Sequence, residues 1–404
     1  MSEWQEVSLG EITSKIGSGA TPRGGGESYK ESGTSLIRSQ NILDFKFSTN
    51  GLAFIDDAQA YELRSVSVEP DDVLLNITGD SVARCCVVPD NILPARVNQH
   101  VAIVRANKDK AESHFIYYML QSIKEELLMQ SEIGATRNAL TKGMIEGIKL
   151  SLPPLPEQKA IASVLSSLDD KIDLLHRQNT TLESMAETLF RQWFVEEAKE
   201  DWSFVVLGEY VNCFNGVSYK SSELNASKTA MVTLKSFDRN GGFRLDGFKE
   251  FTGRYKEQHI VVQGDLVVAH TDITQDAEVI GNPILVVASP SYETIVISMD
   301  LVKVTSKFDW LSNEFLYRMM RTREFKEHCL GYSNGSTVLH LSKQAIPSFE
   351  FFLPPKEKIE GFTKLAKDLF SKKFKNIEQI QTLEKLRDTL LPKLMSGEIH
   401  ITTN

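Results

Sequence analysis

Trp4-Gln5-Glu6-Val7-Ser8-Leu9-Gly10-Glu11 returns as Trp202-Ser203-Phe204-Val205-Val206-Leu207-Gly208-Glu209, an offset of 198. Further along, Gly134-Ala135-Thr136 returns as Gly335-Ser336-Thr337, Leu140-Thr141-Lys142 as Leu341-Ser342-Lys343, and Leu152-Pro153-Pro154 as Leu353-Pro354-Pro355, all at offset 201. Between them, Asp72-Val73-Leu74-Leu75 resembles Asp265-Leu266-Val267-Val268 at offset 193. Self-similarity over half a chain is the mark of tandem duplication, and the drifting offset places insertions in loops of a shared framework. Each half opens with β-branched and aliphatic runs bounded by Gly, Asp, Asn and Pro: Asp72–Ile77, Val97–Arg105, Ile260–Ala269 and Pro283–Ala288. These read as strands and turns. One amphipathic helix is expected at His114–Met129, and its counterpart at Asn313–His328.

A long helix then closes each half. In the first, Pro156 stands at a helix start and the d positions are Ile161, Leu168, Leu175, Leu182 and Leu189. The a positions are Leu165, Ile172, Asn179, Ala186 and Trp193. In the second, d is Phe362, Leu369, Asn376, Leu383 and Leu390, and a is Ala366, Lys373, Ile380, Arg387 and Leu394. Sustained heptads predict a coiled coil, with each helix a rod of roughly 60 Å. Asn179 and Asn376 are the uncharged polar residues of these seams. In an antiparallel pair an a residue faces a d residue, so the two asparagines are expected to meet and fix the helix register. The expected fold is α+β: two similar mixed α/β domains, pseudo-twofold by duplication, separated by an antiparallel helix pair. The boundaries are 1–155 and 199–354 for the domains, 156–198 for the first long helix, and 355–404 for the second with its tail.

The 404 residues carry 45 Lys+Arg against 54 Asp+Glu, a net charge of −9, which excludes a protein that coats nucleic acid by bulk charge. Contact through local patches remains open. Cys85, Cys86, Cys213 and Cys329 form no C-x-x-C pair, and read as reduced thiols of a cytoplasmic protein with no metal site. The first residues carry no basic and apolar signal segment, and no run reaches the roughly 20 apolar residues of a membrane span.

The chain resembles the specificity (S) subunit of type I restriction–modification systems over essentially its whole length. The resemblance rests on Gly19-Ala20-Thr21-Pro22 with Tyr29, Asn98-Gln99, Gly134-Ala135-Thr136-Arg137, Leu152-Pro153-Pro154-Leu155-Pro156-Glu157-Gln158 and the C-terminal Leu386–Ile399. It implies two target-recognition domains, each reading half of a bipartite, non-palindromic DNA target, with the helix pair as spacer. It implies two modification subunits that carry S-adenosylmethionine and methylate adenine N6, and restriction/motor subunits that join them. The second half departs from the pattern, with no Thr-Pro after Gly216 and Lys356-Glu357-Lys358 in place of Glu-Gln. The competing function is a docking scaffold or regulatory subunit without sequence readout.

No catalytic set stands out. The Pro-Pro pairs follow Leu152 and Leu353, so the amide or carboxylate that grips a target amino group in an amino-methyltransferase is missing. Gly17-Ser18-Gly19 carries Pro22 where a phosphate-binding fingerprint needs its third glycine. Gly331-Tyr332-Ser333-Asn334-Gly335 matches a nucleophile-elbow pattern, but the serine is missing from its first-half counterpart. Asp169-Asp170-Lys171 reads as a solvated helix face with ion pairs. Arg, Lys, Asn and Gln on loops are the natural base readers. The first-half candidates for DNA binding are Arg23, Lys30, Arg38, Gln40, Asn41, Arg84, Arg137 and Asn138. Those of the second half are Lys220, Lys235, Arg239, Arg244, His270 and Thr337. Trp4, Trp193 and Trp202 read as packing anchors.

Overall fold

The computed structural model describes residues 4–132, 138–238, 241–274, 276–335 and 338–401. Two units are defined by internal contacts: Met1–Leu174 with Ile380–Asn404, and Leu175–Gln379. Both divisions fall inside the long helices, Leu155–Arg191 and Lys356–Met395, so each unit owns part of each helix.

In the first unit a four-stranded antiparallel sheet runs Thr13–Ser18, Val101–Ala106, Val73–Asn76, Cys85–Val87. Successive side chains of a strand point to opposite faces, and here both faces are covered. Val73 and Leu75 join Val104, Phe115 and Leu165 in one core. Leu74 joins Ile37, Val97 and Ile103 in another. That is why the Val73–Asn76 strand is apolar without alternation until Asn76. The second sheet, Ala53–Ile55, Thr34–Ile37, Ala95–Val97, Ser67–Val68, contains one parallel pair. The second unit repeats the plan. Leu266 and Val268 face the core of Phe315 and Phe362, while Val267 and Ala269 face that of Ile284 and Ile297.

Several expected elements are cut shorter or divided. The run Val97–Arg105 breaks at Asn98–His100, giving strands Ala95–Val97 and Val101–Ala106 that belong to different sheets. Ile260–Ala269 is strand only over Leu266–Ala269, because Gly264 turns the chain at φ +86. Each single amphipathic helix is two: Ser113–Ser122 and Lys124–Glu132, then Asn313–Met320 and Arg323–Gly331. Thr322 starts the last by capping Phe325 N–H.

The long helices pair antiparallel within each unit. In the first, Glu157 meets His400 and Asp169 meets Arg387; in the second, Asn179 meets Asn376, Glu183 meets Lys373 and Glu197 meets Lys358. The heptad seam is accompanied by a third stripe, the residue after each d. Ala162, Phe190, Phe370 and Leu391 from this stripe are buried in the cores of their units. Asn376 is fully buried, and its Nδ2 donates to Asn179 Oδ1 at 2.9 Å. Its own Oδ1 has no partner among the described residues. A buried, half-satisfied amide costs stability and constrains register. Replacing both asparagines with leucine is therefore expected to leave the urea midpoint unchanged or raise it. A fall of more than about 1 kcal/mol in the double variant would show that the pair holds the fold together instead.

Candidate nucleic-acid interface

In the first unit, polar side chains gather where four segments meet at the strand ends. Gly19 N–H donates to Val101 O at 3.0 Å and Ala20 N–H to Val97 O at 3.1 Å. A Cβ on Gly19 would lie 1.8 Å from the Val97 carbonyl oxygen, so only glycine can take this seat. The seat brings Thr21 against the Asn98–His100 turn. Thr21 Oγ1 donates to Gln99 Oε1, and Gln99 Nε2 lies 3.1 Å from His100 Nε2. His100 Nδ1 then lies 2.7 Å from Thr78 Oγ1. With the Gln99 amide as donor, His100 accepts at Nε2 and donates from Nδ1.

A hairpin loop, 38–52, projects beside this edge. Asn41 Nδ2 donates to Ser48 O and Asn50 O, and its Oδ1 accepts from Arg38 N. Arg38 donates to Gly51 O and lies over the Tyr29 ring at 5.3 Å; Gln40 donates to Gly51 O at 3.2 Å.

The second unit builds the same edge from other residues. Gly216 N–H donates to Leu301 O and Val217 N–H to Ile297 O, and a Cβ on Gly216 would lie 2.1 Å from Ser298 O. His270 N–H donates to Asp300 O and His270 O accepts from Leu341 N–H, as Ile77 does with His100 and Leu140. Burial lowers the His270 imidazole pKa, with His340 and Lys343 adding to the shift, so it is neutral at pH 7. Its Nε2 has no partner among the described residues. Beside it, Asp272 accepts from Thr274, Val279 and Ile280 N–H, closing a loop that leaves Ile273 72% exposed. A cleft of about 450 Å³ separates this loop from Lys235, Phe237 and Arg244.

The sequence candidates divide accordingly. Gln40 and Lys235 occupy the same exposed place, on the short helical turns Ser39–Asn41 and Leu234–Ser236 that follow equivalent strands. Asn41 is a correction: fully buried, with both ends of its amide engaged in closing the loop, it is not free to reach a base. Lys30 pairs with Asp56 at 3.5 Å and Arg244 with Asp246 at 2.6 Å; both are exposed. Arg23, Asn138 and Lys220 are exposed and Arg84 half-buried. Asn138 O accepts from Gly79 N–H beside the first edge. Arg137, Arg239 and Thr337 lie outside the described residues. Thr21, Thr78, Gln99 and His100 were missed as a group. Their one signal was the pairing of Gly-x-Thr-Pro with a distant Asn-Gln.

Asp169 is also a correction. It faces inward, accepting from Tyr118 OH at 2.6 Å and Arg387 Nη1 at 2.9 Å. Burial raises its pKa above the usual range. Asp170 keeps the solvated face. Ser333 belongs to a hairpin strand and donates to Cys329 O at 2.8 Å, so it is no nucleophile elbow. The four cysteines are free thiols, and burial pushes Cys213 up to about 11. Among the described residues no group of three or more His, Cys, Asp or Glu is placed to hold a metal, and no helix is long and apolar enough to cross a membrane.

Residues 1–184 match the type I restriction modification DNA specificity domain. The chain is 23% identical over 474 residues to the type I restriction enzyme HindI specificity subunit of Haemophilus influenzae, covering 99% of this chain and 100% of that one. It is 26% identical over 322 residues to the MjaIX specificity subunit of Methanocaldococcus jannaschii, covering 73% and 71%. The S subunit from M. genitalium has the same fold, with a TM-score of 0.61 at 15% identity over 99% of this chain and 97% of that one. The chain is thus similar, over nearly its whole length, to specificity subunits of type I restriction–modification systems.

Proposed function

We propose that the chain reads a bipartite, non-palindromic DNA target, one half per unit, and positions adenine-N6 methyltransferase subunits on it without itself catalysing. One observation carries this reading: the two edges are built alike but lined differently. Around the same glycine seat and backbone bonds, equivalent positions carry Gln40, Ile77, Gln99 and His100 in one unit, and Lys235, His270, Met299 and Asp300 in the other. Like scaffolds with unlike donors and acceptors suit two unlike half-sites. Arg23, Lys30, Arg38, Gln40, Arg84 and Asn138 would serve the first, with Lys220, Lys235, Arg244 and His270 for the second. With a net charge of −9, the chain leaves much of the phosphate neutralisation to its partners. S-adenosylmethionine belongs on the modification subunits, and restriction/motor subunits complete the assembly.

Expression of this chain with its modification subunit should place N6-methyladenine in one bipartite motif across a host genome, and either subunit alone should place none. Methylation by this chain alone would refute the non-catalytic reading. A complex that methylates without sequence choice would make the chain a docking scaffold.

A further inference from the structure

The helical turn that leads into each hairpin carries an exposed candidate base reader, Gln40 or Lys235, while the turn of the hairpin itself rests on an arginine. In the first unit the Arg387 guanidinium lies 3.6 Å from the centroid of the Phe45 ring. Phe45 sits at φ 59 in the turn between strands Ile42–Leu43 and Lys46–Phe47, and packs edge-on against Tyr117. Arg387 is 8% exposed and is held by Asp169, which also accepts from Tyr118. A long-helix carboxylate, a tyrosine and an arginine thus lead to the hairpin turn.

The second unit reaches the same result with different residues. Position 186, the repeat equivalent of Arg387, is alanine. Arg321, from the junction of the Asn313–Met320 and Arg323–Gly331 helices, takes its place. Its Nη1 lies 3.2 Å from Tyr317 OH, which donates to Glu183 Oε1 of the long helix at 2.8 Å. Gly241, at φ +79 in the corresponding turn, lies so close that a Cβ would come 2.2 Å from Arg321 Nη1. The arginines come from unrelated positions, so duplication did not copy the contact. It was built twice.

We infer that Arg387 and Arg321 are positioning residues: each transmits the pose of the long helices to the base-reading hairpin of its own unit. This rests on the DNA-reading assignment above. A hairpin whose turn is clamped leaves the reader-bearing helical turn at its open end little freedom, and base discrimination depends on that placement.

The test is the methylation motif written by the full chain with its modification subunit. Arg387→Met is expected to relax one half of the motif by about ten-fold or more in discrimination and leave the other half unchanged. Arg321→Met should relax the opposite half. Phe45→Leu, which keeps the Asp169–Arg387 pair, should relax the same half as Arg387→Met. It should also speed hydrogen exchange of amides in loop 38–52. A wild type without a bipartite motif would instead strike the DNA-reading assignment itself. With that motif present, variants that lower overall methylation equally in both halves, or leave both halves intact, would overturn the positioning role.

Discussion

Gly19→Ala and Gly216→Ala are each expected to destabilise the chain by about 3 kcal/mol or more, read as a lowered urea midpoint. The new methyl would sit 1.8 Å from the carbonyl oxygen of Val97 in its strand, or 2.1 Å from that of Ser298, which accepts from Leu301 N–H in the turn after its strand. Backbone, not a flexible side chain, would have to move. The glycine seats Thr21 on Gln99 in the first unit, so even a folded Gly19→Ala should blur one half of the methylation motif. Gly17→Ala is the control two residues away: its Cβ would meet nothing within 4 Å, and its midpoint should match wild type to about 0.5 kcal/mol. Equal midpoints for Gly17→Ala and Gly19→Ala would show that the seat gives way easily.

Removing Glu183 should have a comparable effect. Its carboxylate receives Lys373 Nζ at 2.6 Å, Arg318 Nη1 at 3.0 Å and Tyr317 OH at 2.8 Å. Arg318 is 4% exposed, and truncation of Glu183 to alanine leaves it Glu187 as its ion-pair partner among the described residues. A buried pair broken on one side costs about 3–5 kcal/mol. The acid response separates this carboxylate from Asp169. Burial pushes Glu183 up, but Lys373, Tyr317 and Arg318 together hold it below the usual range. It therefore stabilises the fold above that range and loses the contribution as pH falls through its lowered value. The penalty of Glu183→Gln should shrink on acidification. Asp169 is shifted the other way, so the wild type gains stability as pH falls through its raised value, and the penalty of Asp169→Asn should grow. Urea midpoints for both variants and wild type, compared between about pH 7 and about pH 4, should show slopes of opposite sign. Parallel slopes would contradict the two environments.

The duplication, the long helices and the Asn179–Asn376 contact could be read in the sequence because each depends on spacing alone. The third buried stripe could not. Asp169 and Glu183 are charged, and charge on a helix ordinarily marks water; only the tyrosine and the cations packed against them reverse that reading. The division of Val97–Arg105 was hidden for a similar reason, since an apolar run continues on both sides of a three-residue turn. At the candidate interface, Gln40 and Asn41 are adjacent amides of nearly identical chemistry. Gln40 stays exposed with a single bond to its loop, whereas Asn41 is buried with both ends of its amide engaged in closing that loop. A polar loop residue serves either purpose, and only the backbone carbonyls around it decide which.

The two units are cut from the chain in different ways. Leu175–Gln379 is one continuous stretch, whereas the first unit needs Ile380–Asn404 to complete it, and Leu391 and Leu394 lie in its core. During synthesis the unit that begins emerging first is therefore the last that can close. Until Leu391 and Leu394 leave the ribosome, its apolar floor stays open to whatever else is in reach. A stop codon at position 380 should harm the amino-terminal unit and spare the one encoded in between.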